Sequence, residues 1–249
     1  MKLVIAEKPS VGMDFAKALG IKDKKDGYIV ANGDYTITWA VGHLVEIDDS
    51  IAPQKWELET LPIIPSDFKY KPNEKTIKQL KVIKDLVKQA EEIIISTDAG
   101  REGELIARLI LNTAGWKNWD KTYRFWTSQA LTKEVIQKEL KSVKPSKEYD
   151  SLYFSALARQ HSDWVVGINL TRLITIKAGN GVWSVGRVQT PILRLIVERD
   201  LAIENFKPEE YYTIKGLFKT DKYEYEGFLR LDNKAVKQDN KQDNDEEEN

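Results

Sequence analysis

The chain has 249 residues, 41% of them hydrophobic and 10% aromatic, with no cysteine and a net charge of −1, which is enough for one large domain or two small ones with a real core. Disulfides, thiolate zinc sites and a cysteine nucleophile are excluded. No run approaches the roughly 18–20 apolar residues that span a bilayer, and no charged-then-apolar leader precedes Leu3-Val4-Ile5-Ala6, so the expectation is a cytoplasmic protein. Near-zero charge argues against a nucleic-acid binder. It averages unlike regions, however: Asp232–Asn249 carries seven acidic and three basic residues, which leaves the rest at +3.

Leu3–Ala6 reads as a strand that stops before Pro9, a residue the interior of a sheet does not accommodate. Ser10 is placed to N-cap a helix through Ala16, Ala18 and Leu19 that ends at Gly20. Glu7 and Lys8 therefore occupy a strand-to-helix turn, as a solvated pair or as site residues. Tyr28–Ala31 and Tyr35–Val41 flank Asn32-Gly33-Asp34 as a hairpin. His43 follows with no role that its context assigns. Ser50 to Pro72, with four prolines, is expected to be a long extended loop. Its Trp56 either packs back on the sheet with Leu61 or is free to stack on a base. Thr76 to Ala90 sets Ile77, Leu80, Ile83, Leu86 and Val87 against a lysine-rich face, the pattern of an amphipathic helix.

The β-branched run Ile93-Ile94-Ile95 then leads into Ser96-Thr97-Asp98-Ala99-Gly100-Arg101-Glu102-Gly103-Glu104, after which Leu105, Ile106, Leu109 and Ile110 recur at helical spacing. Three carboxylates thus crowd a strand-to-helix turn, at the edge where open α/β sheets place ligands. Either they form an acidic helix start or they supply oxygen ligands for Mg2+. If both strands run parallel in one sheet, Glu7 and Asp98 emerge at the same edge. Tyr123–Thr127 reads as a further strand and Thr132–Leu140 as a helix capped by Thr132, so residues 1–140 form an α/β unit with a mainly parallel sheet and flanking helices.

Lys141 to Lys147 reads as a linker, and Tyr149 to about Lys177 as a long helix broken only at Gly167. Asp163 and Thr171 lie two turns apart on one face, with Arg159 and Arg172 nearby; this is a salt-bridged stripe or a binding face. After Gly179-Asn180-Gly181, the segment Ser184-Val185-Gly186-Arg187-Val188-Gln189 precedes a helix entered through Pro191, an arrangement suited to a phosphate with an added cation. Tyr211–Thr220 and Lys222–Arg230 form a terminal β-hairpin, and the segment from Asp232 onward is expected to be disordered.

Taken together, Ala6-Glu7-Lys8-Pro9-Ser10, Gly42-His43-Leu44, Thr97–Glu104, Asp163–Arg172 and Ser184–Pro191 resemble, in order, the N-terminal part of bacterial type IA DNA topoisomerases. The Trp56-Glu57-Leu58 loop leading to Leu61-Pro62 is similar to that of the topoisomerase III branch. The resemblance covers roughly residues 1–230. It implies a Toprim domain over 1–140, a helical single-strand DNA-binding segment over 148–206, the start of a truncated β domain over 207–231 and an acidic tail over 232–249.

The resemblance further implies Mg2+ held by Glu7, Asp98 and Glu102, with Gly100 where the family often has a second turn carboxylate. Glu7 and Lys8 would be catalytic. Trp56, Arg159, Asp163, Thr171, Arg172 and Ser184, Val185, Gly186, Arg187, Val188 and Gln189 would contact single-stranded DNA. The family's nucleophile is a tyrosine in a Tyr-x-Arg-Thr context, and none of the ten tyrosines here has it. The expectation is therefore a truncated relative that binds single strands with Mg2+ and cleaves only with a tyrosine domain supplied elsewhere, on a separate partner chain. The alternative is a catalytically inactive single-strand DNA-binding remnant of a mobile element.

Overall fold

The computed structural model describes residues 1–229. Two compact units divide at Leu193/Arg194. The expected acidic tail and Arg230, the last residue of the expected hairpin, lie outside the described residues.

The first unit is organised on β1 (Lys2–Ala6), whose residues from Leu3 onward are fully buried. It is followed by α1 (Pro9–Leu19), β2 (Ile21–Lys25), β3 (Tyr28–Ala31) and β4 (Tyr35–Trp39), then β5 (Val45–Ile47) and β6 (Tyr70–Pro72). Next come α2 (Ile77–Gln89), β7 (Glu92–Ser96), α3 (Arg101–Ala114), β8 (Thr122–Arg124), α4 (Lys133–Glu139), β9 (Lys144–Pro145) and α5 (Asp150–Ala178). Seven strands form one sheet in the order β2-β3-β4-β1-β7-β8-β9. The four central strands are parallel, and β2, β3 and β9 add antiparallel edges.

The helices divide between the two faces. Val11, Phe15 and Ala16 of α1 and Ile136 beside them pack with Val4, Ile37 and Ile94 on one side. Leu80, Ile83 and Leu86 of α2 and Leu105, Leu109 and Ile110 of α3 pack with Leu3, Ile5, Ile93 and Ile95 on the other. The alternation along β1 and β7 feeds both cores, as expected for strands covered on both faces. Helix α5 joins the second core through Ala156.

Several elements depart from the sequence reading. Pro9, not Ser10, begins α1, with extended Lys8 as its N-cap; proline at the first helical position removes an N–H that has no partner there anyway. Strand β2 is Ile-Lys-Asp-Lys-Lys and exposed throughout, a charged edge that discourages pairing with other chains. The expected linker contains β9, whose Pro145 sits on an edge strand, where it is tolerated. Helix α5 runs through Gly167 without a break.

The long loop before β6 is anchored to α5. The Asn169 amide donates to Ile63 O (2.8 Å) and accepts Ile63 N–H (2.6 Å), serving as a strand partner would. Phe68 stacks on His161 at 3.7 Å, and the Tyr70 hydroxyl lies 2.8 Å from His161 Nε2 and 2.9 Å from Gln160 Oε1. Burial lowers the His161 pKa below its ordinary 6.5. The unfolded chain then takes up this proton first, so stability present above pH 6.5 is lost as the pH falls towards the lowered value. Urea midpoints should fall more between pH 7.5 and 5.5 for the native chain than for His161→Gln.

The second unit contains the remainder of α6 (Gln189–Glu204) and a ribbon of β10 (Lys215–Lys219) and β11 (Glu224–Phe228). The ribbon is closed by Thr220, whose Oγ1 accepts Tyr223 N–H at 3.1 Å. Among the described residues no helix is long and apolar enough to cross a membrane.

Candidate active site at the carboxyl edge of the sheet

Neighbouring parallel strands β1 and β7 send their following helices to opposite faces, α1 to one and α3 to the other. A crevice opens beyond their carboxyl ends, where open α/β sheets bind ligands. Ala6 pairs in register with Ser96, so Glu7 and Asp98 enter this crevice together. Glu7 Oε2 accepts the Asp98 N–H at 2.7 Å. Burial pushes the Glu7 pKa up; the Asp98 N–H opposes this and the Asp98 charge adds to it. Lys8 is exposed beside the pair.

The acidic turn is held from behind by a buried ionic network. The Arg124 guanidinium donates to the carbonyls of Ile95 (3.1 Å), Thr97 (2.8 Å), Phe125 (2.8 Å) and Asp98 (2.7 Å). Its Nε stands 2.8 Å from Glu104 Oε2, an ion pair whose N–H is not aligned for a hydrogen bond. Glu104 also accepts Arg108 Nε at 2.9 Å, and Arg108 reaches Asp150 and the Ser146 carbonyl, both at 2.6 Å. Glu104 therefore belongs to the core and not to the acidic crevice. Its i,i+4 partner Arg108 is visible in the sequence; the cation from β8 is not.

Gly103 lets the first turn of α3 close against the Asp98 backbone, because a Cβ there would overlap the Asp98 carbonyl oxygen. Gly103→Ala should cost about 1–3 kcal/mol in urea unfolding, as overpacking does, and displace the Asp98 carboxylate.

Glu102 lies on the exposed side of the same turn, where His43 Nε2 approaches it to 3.7 Å. Among the described residues no three His, Asp or Glu side chains form a ready metal cage. Mg2+ does not require one, since it is commonly held by one or two carboxylates with waters and substrate phosphates. Half-buried Glu7 and exposed Asp98 fit that donor set, with Glu102 set apart beside His43.

A cleft of about 530 Å3 runs from Glu102 to Ala156, Arg159, Gln160 and Asp163 of α5. Asp163 takes a two-point ion pair from Arg187 (2.6 and 3.1 Å) and lies 3.7 Å from Arg159. Arg187 holds the Asp163 pKa below the usual carboxylate value. One turn-pair further along α5, Thr171 Oγ1 accepts Val185 N–H at 2.9 Å. Asp163 and Thr171 thus share a face, as their spacing indicates, and both hold the Ser184–Gln189 loop in place.

Within that loop Gln189 donates to Ser184 Oγ at 2.9 Å, Gly186 N–H donates to Thr190 Oγ1 at 3.1 Å, and Val188 is exposed. Arg172 of α5 is also expected to contact single-stranded DNA. It is 5% exposed, its guanidinium lies 5.1 Å over the Trp56 ring, and its Nε has no partner. Trp56 is therefore paired with Arg172 from α5, an arrangement that loop composition does not signal.

A family profile described as the Toprim domain matches residues 2–130, and one described as DNA topoisomerase matches 147–249. A putative DNA topoisomerase 3 and a DNA topoisomerase 3 from two Staphylococcus aureus strains are each 45% identical to this chain over 242 residues, covering 94% of it and 33% of the relative. The structure of full-length topoisomerase I from Thermotoga maritima shares the fold, with a TM-score of 0.60 at 23% identity over 95% of this chain and 37% of that one. The chain therefore belongs to the Toprim family and corresponds to the N-terminal portion of a type IA DNA topoisomerase of the bacterial topoisomerase III branch. It spans about a third of the length of those curated relatives.

Proposed function

We propose that this chain binds single-stranded DNA across the carboxyl edge of its sheet in a Mg2+-dependent way, as the strand-holding part of a topoisomerase. The observation that carries the reading is the single cleft in which Glu102 of the acidic turn faces Arg159, Gln160 and Asp163 of α5. At the crevice beyond Glu102, where Glu7 accepts the Asp98 N–H, Glu7 and Asp98 would hold Mg2+, with Glu102 set apart beside His43. When bound, the ion supplies positive charge that positions and neutralises a phosphate. Lys8 adds a second positive charge at the same phosphate, and Glu7 is placed to exchange a proton with a leaving 3′-oxygen. Arg159 and the Arg187 loop contact flanking phosphates without regard to sequence, while Asp163 and Thr171 fix the loop. The Trp56–Arg172 stack borders the same helix. The working division is a Toprim domain over 1–140, a helical strand-binding segment over 148–206 and the start of a β domain over 207–231.

Within these 249 residues no tyrosine stands in a Tyr-x-Arg-Thr context, so these residues by themselves support strand binding without scission, and scission would need a tyrosine-bearing segment from elsewhere. A DNA-binding remnant with no catalytic partner is the second reading, favoured by the same observation. Fluorescence anisotropy with labelled oligothymidylate tests the binding. Affinity should fall with salt, and Arg159→Ala should reduce the slope of log affinity against log salt by about 0.7. Equal affinity for blunt duplex, or no salt dependence, would remove the proposal. Relaxation of supercoiled plasmid by the chain alone would contradict the expected lack of scission.

A further inference from the structure

A second cavity, of about 310 Å3, lies behind the acidic turn on the face of the sheet that carries α1 and α4. Phe15, Phe125 and Leu131 give it apolar walls, and the Phe15 and Phe125 rings meet edge to face at 4.9 Å. Its polar groups are Ser96, Thr97, Thr127, Ser128 and Gln129, and Asp98 is shared with the crevice. Alternation along β7 turns Ser96 to the same side as Ile94, which packs in this core. Ser96 is 5% exposed, and its Oγ has no hydrogen-bond partner. Buried hydroxyls are ordinarily satisfied, so this one marks a donor and acceptor facing a space that a ligand could fill.

The lining narrows the ligand. No lysine or arginine contributes to it and Asp98 stands at its edge, so a phosphate or carboxylate has no counter-charge there. Apolar aromatic walls with a hydroxyl and an amide suit a flat, neutral group with a hydrogen-bonding edge. Its size is at the lower end of ligand pockets, roughly 300–1,000 Å3. We propose that the cavity receives one nucleobase of the bound single strand, turned out of the strand path next to the phosphate at Glu7 and Asp98. Its edge meets Ser96 Oγ and the Gln129 amide, and its face lies on the phenylalanines. This rests on the single-strand reading above.

The test labels the chain with 4-fluorophenylalanine and follows the Phe15 and Phe125 fluorine resonances while anisotropy reports strand binding with Mg2+ present. Oligothymidylate should move both resonances, whereas a fully abasic strand of equal length should bind through its phosphates and leave them in place. Ser128→Trp, at the exposed rim, should abolish the shifts and weaken oligothymidylate by about tenfold, in line with losing one stacked base. Gln129→Ala should weaken it in the same direction, with circular dichroism checking the fold of both. Resonances that stay still while oligothymidylate binds, or that move equally with the abasic strand, would overturn the cavity assignment and leave the single-strand reading intact. Failure of any strand to bind would overturn both.

Discussion

Glu104→Gln should destabilise the first unit by about 3–5 kcal/mol, the effect of removing one partner from a buried ionic cluster. Glu104 is wholly buried between Arg108 and Arg124. Without its charge, two guanidiniums remain in the core with only carbonyls and Asp150 to face them. Burial already lowers the Arg124 pKa, with the Glu104 charge acting against that. The loss should appear as a lower urea midpoint with an unchanged slope. Arg124→Met should be comparably severe, because it also leaves the Thr97 and Asp98 carbonyls without donors. Since both residues act on one cluster, the double variant should be less destabilised than the sum of the singles. Equal and additive losses would show that Arg124 holds the turn independently of Glu104.

Glu7→Gln and Asp98→Asn should have the opposite character, leaving the fold intact while weakening the metal. Each removes one of the two carboxylates that meet in the crevice. The loss of divalent-ion affinity, read by Mn2+ electron paramagnetic resonance, should be at least the ~10–100-fold that losing even an outer-shell partner produces. Stability should not fall in step. Burial raises the Glu7 pKa above 4.5, so the folded chain holds this proton more tightly than the unfolded one. The ionised carboxylate therefore opposes folding at neutral pH, and stability from this group grows as the pH drops from the raised value towards 4.5. Glu7→Gln removes that opposition, and its urea midpoint at pH 7 should match or exceed the native one. A variant that lost metal and stability together would point to a structural carboxylate instead.

Much of the frame was legible because its signals are local. The apolar runs of β1 and β7, the periodic faces of α2 and α3, and the Thr132 cap of α4, whose side chain accepts Val135 N–H, each follow from neighbouring residues. The parallel pairing that brings Glu7 to Asp98 follows from two strand-to-helix turns in one α/β unit. What escaped depends on partners far along the chain. Strand β2 is charged and exposed, so nothing in its composition marks it apart from its pairing with β3. Strand β9 exists because β8 offers an edge. Glu104 resembles its neighbours Asp98 and Glu102 until Arg124 arrives from β8. Arg172 resembles an open cation until Trp56 folds over it. Single charged residues carry little information about burial; it is the opposite charge or ring across the fold that decides it.

The central claim is that Mg2+ and a single strand share one site at the carboxyl edge of the sheet. The most direct measurement is their thermodynamic coupling: oligothymidylate affinity at rising Mg2+, and Mn2+ affinity at rising oligothymidylate. If both occupy the Glu7–Asp98 crevice, each should raise the affinity of the other by the same factor, and Glu7→Gln should abolish the coupling. Strand binding indifferent to divalent ion, or coupling that survives Glu7→Gln undiminished, would contradict the account.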